Sequence, residues 1–283
     1  EITWRDWSSD VCSSDLTAGS KYRFVGNAGS DRRLLLRKAL QISVVIALIV
    51  WSFYSVGFSL KELFQGLDGI ADIVGRMFPP KVDKWRSLVK PIVETVNISI
   101  IGTFIAVIIA IPLGIAAAKN ISPNALFYNL SRLLLNTIRT IPDMVFALIF
   151  VAAVGLGPLP GVLAIGVSSS GMLGKFLADS IEGTDQGKID AIRATGANYM
   201  QVLVYAVIPQ ITAEFISLVL FRWEMNFRSS TVLGIVGAGG IGFELITSIR
   251  LFQYKETTMI LLGILLVVIL VDFVNLADRK SVV

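Results

Sequence analysis

Residues 190–209 read DAIRATGANYMQVLVYAVIP. Their spacing gives a helix, a loop and a second helix. Ile189, Ile192 and Arg193 occupy one helical turn. Gly196 supplies a bend that a residue with a Cβ resists. Tyr199, Leu203 and Val207 then recur at helical spacing and lead into Ile208-Pro209. The charged first half cannot be buried in lipid, yet apolar runs lie on both sides of it. It belongs at the membrane surface, either as an ordinary interfacial loop or as a short helix that a partner grips.

Outward from this segment the chain is built of apolar runs. It has 283 residues, 54% hydrophobic and 16% charged, with a mean hydropathy of +0.72. A soluble chain is about 25% charged. Apolar stretches cover 39–59, 95–118, 141–156, 161–178, 204–221 and 257–277. About 20 apolar residues in a helix cross a hydrocarbon core of ~30 Å. The fold class expected is all-α integral membrane, with about six transmembrane helices. Ser168, Ser169, Ser170 and Gly171 are small enough to let helices approach closely. A basic segment, 17–38, precedes the first span, and 60–92 forms a polar loop with room for a short amphipathic helix. Each carries six Lys or Arg, so positive charge alone does not orient the first hairpin.

Several functions are excluded by composition. The chain has no histidine, which removes Ser-His-Asp triads, Cys-His pairs and His-bound metals. Its one cysteine, Cys12, permits neither an internal disulfide nor a thiolate cluster. A net charge of +4, unclustered, does not suit nucleic acid. No cofactor or metal is expected. The two ends read differently from the rest. Residues 6–16, DWSSDVCSSDL, can be encoded by a sequencing-library adapter containing GCTCTTCCGATC. Residues 278–283, DRKSVV, can be encoded by a string that opens with its reverse complement, GATCGGAAGAGC. Segments 1–16 and 278–283 are therefore expected to be adapter-derived, with polar tails as the other reading.

Two further features sit after the fifth span. Arg222 and Arg228 flank Glu224. Guanidinium groups match phosphoryl oxygens in bidentate geometry, so the pair suits an anion pathway. The alternatives are an interfacial ion pair with Glu224, or snorkelling to headgroups. Next comes GAGGIG at 237–242, with Gly237, Gly239, Gly240 and Gly242. A dinucleotide site needs a βαβ unit around this pattern. Apolar spans flank it instead, which points to close packing or a re-entrant turn. No phosphate-binding loop is present, since Gly174-Lys175 is followed by Phe176 and lacks the upstream glycine.

The 190–209 spacing resembles the EAA signature of ABC importer permeases: Glu-Ala-Ala, three residues, Gly, nine residues, then Ile-x-Leu-Pro. Gly196 and Pro209 match; Asp190 stands for Glu, Ile192 for the second Ala, Ala206 for Ile and Ile208 for Leu. The segments 138–165, 221–246 and MFPP at 77–80 resemble the phosphonate and phosphite branch of that family, and the likeness covers roughly 39–277. The resemblance implies a type I importer permease fold. Residues 93–277 would form its core and 182–209 would carry a cytoplasmic coupling helix. Asp190, Ala191, Gly196 and Pro209 would be the coupling residues. It implies a non-enzymatic subunit in the bacterial plasma (inner) membrane, multi-pass, that moves phosphonate, or a phosphite- or phosphate-like oxyanion, by alternating access. Implied partners are an ATP-binding subunit pair on the cytoplasmic side, a periplasmic or lipoprotein phosphonate-binding protein, a second permease chain forming a homodimer, and membrane lipid. The loop at 60–92 would then be extracytoplasmic. The rivals are a permease of another importer branch, for amino acids or other small solutes, and an autonomous secondary transporter. A membrane-embedded enzyme would need a polar constellation that the scattered Asp143, Asp179 and Asp272 do not supply.

Overall fold

In lipid a backbone satisfies its own N–H and C=O groups by closing helices. The computed structural model of the chain describes residues 28–81, 85–122 and 124–281, and every regular element among them is helical. In chain order these are α1 (Ala28–Val56), α2 (Leu60–Met77), α3 (Trp85–Ala116), α4 (Ala125–Thr140), α5 (Asp143–Val154), α6 (Pro158–Glu182), α7 (Gln186–Ala194), α8 (Tyr199–Val202), α9 (Ile208–Leu233), α10 (Gly240–Arg250) and α11 (Tyr254–Ser281). Five helices are long and apolar enough to cross a membrane, or six if the bent pair α4–α5 is one span.

The chain divides into two units at Leu67. In the first, α1 holds a 21-residue apolar span, Leu36–Val56. It ends on Gly57 at φ +67°, where the Phe58 amide donates to the Phe53 carbonyl at 3.1 Å. The Phe53 and Phe58 rings meet edge to face at 5.2 Å across this left-handed cap.

In the second unit, α3 and α6 run side by side in the same direction. Their seam is made of small residues. A Cβ on Gly102 would stand 2.7 Å from Ile165 Cγ2, and one on Gly114 would stand 2.9 Å from the Gly174 carbonyl. Lipid tails offer helices no hydrophobic reason to associate, so close backbone approach and dispersion must supply it. α4 returns along α6, with Leu135 against Gly174 and Ile138 against Gly171. α9 also runs opposite to α6. The packed interior is divided into clusters. One gathers Leu135, Leu177, Ile181, Ile189, Val202 and Val207; another holds Ile98, Ala147, Val162, Ile165 and Leu233.

The structure moves several boundaries. The stretch 141–156 is not a straight span of its own. α5 has 12 residues, about 18 Å at 1.5 Å per residue, which is short of a ~30 Å core. It is joined to α4 through an 88° bend. Pro142 supplies the break: Ile141 before it is extended at φ −86°, ψ 123°, as a residue preceding proline prefers. α3 starts ten residues before the expected 95, and α2 occupies much of the 60–92 loop. α9 continues to Leu233 and so contains Arg222, Glu224 and Arg228, which were expected beyond the fifth span. Segments 1–16 and 17–27 lie outside the described residues, whereas α11 continues through Ser281, into 278–283.

Candidate functional site

Three groups of residues singled out in the sequence come to lie in three places. The first is the short helix α7. Asp185 caps it, its carboxylate accepting from the Gly187 amide at 2.9 Å. Ile189 is fully buried in the cluster with Ile181 and Val207, and Ile192 and Ala197 pack against the same cluster. The rest of the helix surface is exposed and carries Lys188, Asp190, Ala191 and Arg193. Asp190 and Arg193 approach to 3.7 Å on that face. The helix stops at Gly196, at φ +82°, with nothing within 4 Å of the space a Cβ would take. Asn198 then opens α8, and its amide donates to Gln201 Oε1 at 2.7 Å.

A π-helical turn, Leu203–Val207, joins α8 to α9. Pro209 in the first turn of α9 has no amide hydrogen, which disrupts the regular ladder there. Gln210 compensates. Its Nε2 donates to the Ala206 carbonyl at 2.7 Å, and its Oε1 accepts from the Asp185 amide at 3.1 Å. One side chain thus ties the start of α7 to the root of α9. Pro209 shapes this root, while Asp190, Ala191 and Gly196 lie on the exposed segment.

The second place lies between the helices. Arg222 Nε donates to Ser169 Oγ at 3.0 Å, and Nη1 lies 3.2 Å from Met172 Sδ. Ser169 donates to Asn226 Oδ1 at 2.7 Å, and Asn226 Nδ2 donates to Thr103 Oγ1 at 2.9 Å. The Trp223 indole donates to Ser99 Oγ at 3.1 Å. Asp143, in the first turn of α5, accepts from the Ser168 hydroxyl through Oδ1 and from Ser229 Oγ through Oδ2 at 3.1 Å. Four helices, α3, α5, α6 and α9, are joined by this polar network. Arg228 is placed apart from it. Its Nη2 contacts both Glu224 Oε1 at 2.8 Å and Asp272 Oδ1 at 2.9 Å. The alternative reading, an ion pair with Glu224, therefore holds for Arg228, with Asp272 joining it, and the two arginines do not share one site.

The third place is the glycine-rich turn. Gly237, Gly239 and Gly240 hold φ of +93°, +79° and +72°, values that L side chains resist. The turn brings the N-terminus of α10 onto α3. Glu94 Oε1 accepts from the Gly240 amide at 2.9 Å, and Thr95 Oγ1 accepts from the Ile241 amide at 2.8 Å. A carboxylate at a helix N-terminus satisfies an otherwise unpaired amide and favours the helix dipole. No strand lies near this turn among the described residues, so nothing of a βαβ unit surrounds it.

Reading the sequence missed Asp143, Ser169, Asn226 and Glu94 as members of these groups. A signal was present for α9: Arg222, Asn226 and Ser229 recur at helical spacing and so share one stripe of the helix. Polar residues on one stripe of a membrane helix face protein or water.

The described residues form a multi-pass set of helices in which a short helix between two spans buries Ile189 and exposes its other side. The chain belongs to the family of binding-protein-dependent transport system inner membrane components, whose model matches residues 110–279. It is a multi-pass protein of the bacterial inner membrane. It is similar to the phosphite transport system permease protein PtxC of Stutzerimonas stutzeri, 46% identical over 245 residues, 86% of this chain and 89% of the relative. It is also similar to the phosphate-import permease protein PhnE of Mycolicibacterium smegmatis, 39% identical over 81% of this chain and 43% of the relative. Among solved structures, the MetNI methionine ABC transporter in an inward-facing conformation matches with a TM-score of 0.62 at 18% identity. That match covers 72% of this chain and 99% of the other.

Proposed function

We propose that the chain is the membrane-spanning permease subunit of an ATP-driven importer for a phosphorus oxyanion of the phosphite, phosphonate and phosphate group. The observation that carries the coupling role is α7. One face is locked into the core by Ile189 and the other, with Asp190 and Ala191, is open. A helix held this way moves as one body with α9, to which the Asp185–Gln210 bond ties it, and with α6, whose Leu177 and Ile181 share the cluster of Ile189. A force on the exposed face would therefore reach the spans directly.

In this reading α7 is cytoplasmic and docks on an ATP-binding subunit, and a second permease chain completes the pathway. A substrate-binding protein delivers the anion from outside. ATP hydrolysis belongs to the separate subunit, since this chain has no phosphate-binding loop. The similarity to the phosphite and phosphate permeases supports the substrate class.

The test is co-purification with the ATP-binding subunit of a phosphite importer in mild detergent. Wild type should be retained and Gly196→Arg lost. Asparagine tolerates the left-handed region better than most residues, and open space surrounds Gly196. Gly196→Asn should therefore be retained more fully than Gly196→Arg. Equal retention of all three chains would overturn the coupling role.

A further inference from the structure

Arg222 is the fifteenth residue of α9, fourteen positions after Ile208, about 21 Å along the helix axis. That depth lies within a hydrocarbon core of ~30 Å. A guanidinium there is costly unless it faces protein, water or a ligand. The protein uses only part of it. Nε is taken by Ser169 and one Nη1 hydrogen faces the Met172 sulfur. Among the described residues Nη2 makes no hydrogen bond and no ion pair, and it is not sealed off as a buried unpaired atom. Arg228 is the opposite case, because its Nη2 is shared by two carboxylates. Arg222, by contrast, forms no ion pair among the described residues and keeps Nη2 for an incoming anion.

The nearby acid has an unusual setting as well. Asp143 forms no ion pair closer than 4 Å among the described residues, and both of its oxygens are held by hydroxyls, Ser168 from α6 and Ser229 from α9. Ser168 is the chain neighbour of Ser169, which holds Arg222. The carboxylate and the guanidinium are thus fixed on adjacent residues of α6 without closing on each other. A cation alone at low dielectric would hold a dianion tightly, and a pathway must release what it binds.

Resting on the substrate class proposed above, we propose that Arg222 and Asp143 act as a split charge pair in the membrane pathway. The open Nη2 edge of Arg222 takes the oxygens of a phosphorus oxyanion. Asp143, pinned by Ser168 and Ser229, is the counter-charge that keeps the anion's stay short. Arg222 selects the ligand and Asp143 sets its release.

The test uses the complete importer, with ATP-binding subunit and binding protein, in liposomes. Phosphite uptake, equilibrium phosphite retention by the detergent-solubilised importer, and ATP hydrolysed per phosphite are measured. Arg222→Gln should lower uptake about tenfold or more, with Arg222→Lys between it and wild type. Asp143→Asn should raise retained phosphite severalfold while slowing turnover, and Asp143→Glu should restore release. The double variant Ser168→Ala, Ser229→Ala loses the same hydrogen bonds but keeps the charge, so its retention should match wild type. Arg222→Gln uptake equal to wild type would overturn the proposal, as would Asp143→Asn behaving like the double serine variant. Wild type that takes up neither phosphite, methylphosphonate nor phosphate would instead overturn the substrate class on which the pair rests.

Discussion

Replacing Arg132 should loosen the corner where α3, α4 and α6 meet, just before α7 begins. Arg132 Nη2 contacts Glu182 Oε1 at 2.8 Å, and Nε donates to the Ala117 carbonyl at 3.1 Å. Its guanidinium also lies 5.1 Å from the Tyr128 ring centre and 3.6 Å from Asp179. Glu182 is the last residue of α6 and accepts from the Lys119 amide at 2.7 Å as well. The Arg132 and Glu182 side chains are 26% and 32% exposed, so the pair is neither fully screened nor fully buried. A hydrogen bond to a charged group contributes about 1.5–3 kcal/mol, and solvent exposure reduces that. Two such bonds, discounted for exposure, make Arg132→Ala worth about 3 kcal/mol. At about 2–4 °C per kcal/mol for a unit of this size, the apparent melting temperature in detergent should fall by roughly 6–12 °C. Arg132→Lys keeps the charge but cannot reach Glu182 and the Ala117 carbonyl together, so it should lose about half as much. A double-mutant cycle with Glu182→Gln should show a coupling energy of about 1 kcal/mol or more. A melting temperature for Arg132→Ala within about 2 °C of wild type, or strict additivity in the cycle, would refute the reasoning.

Two other perturbations follow from the packing. Gly114→Ala places a Cβ 2.9 Å from the Gly174 carbonyl oxygen; neither backbone can yield cheaply, so about 1–3 kcal/mol should be lost, read as a lower melting temperature. Glu94→Ala removes the acceptor of the Gly240 amide. Amide exchange at the start of α10 should then speed up by about tenfold, in line with the loss of a helix cap.

Composition, hydropathy and helical period are local properties, and they determined by themselves that this chain is an all-helical membrane protein. The polar helix at α7 and the bend at Gly196 were legible for the same reason: each depends on a few neighbouring residues and on what lipid excludes. Spacing alone read 141–156 as a whole span, because nothing in it says that α5 turns through 88° from α4 at Pro142. Tertiary structure decided where the charges go. Arg222, Glu224 and Arg228 look like the end of a span, since an isolated helix cannot keep them in hydrocarbon. α9 carries them to Leu233 because distant partners satisfy them: Ser169 for Arg222 and Asp272 for Arg228, 53 and 44 residues away. Glu94 at the glycine turn is 146 residues from Gly240. Such pairings form only when helices far apart in sequence are brought into contact, and no periodicity in the chain encodes them.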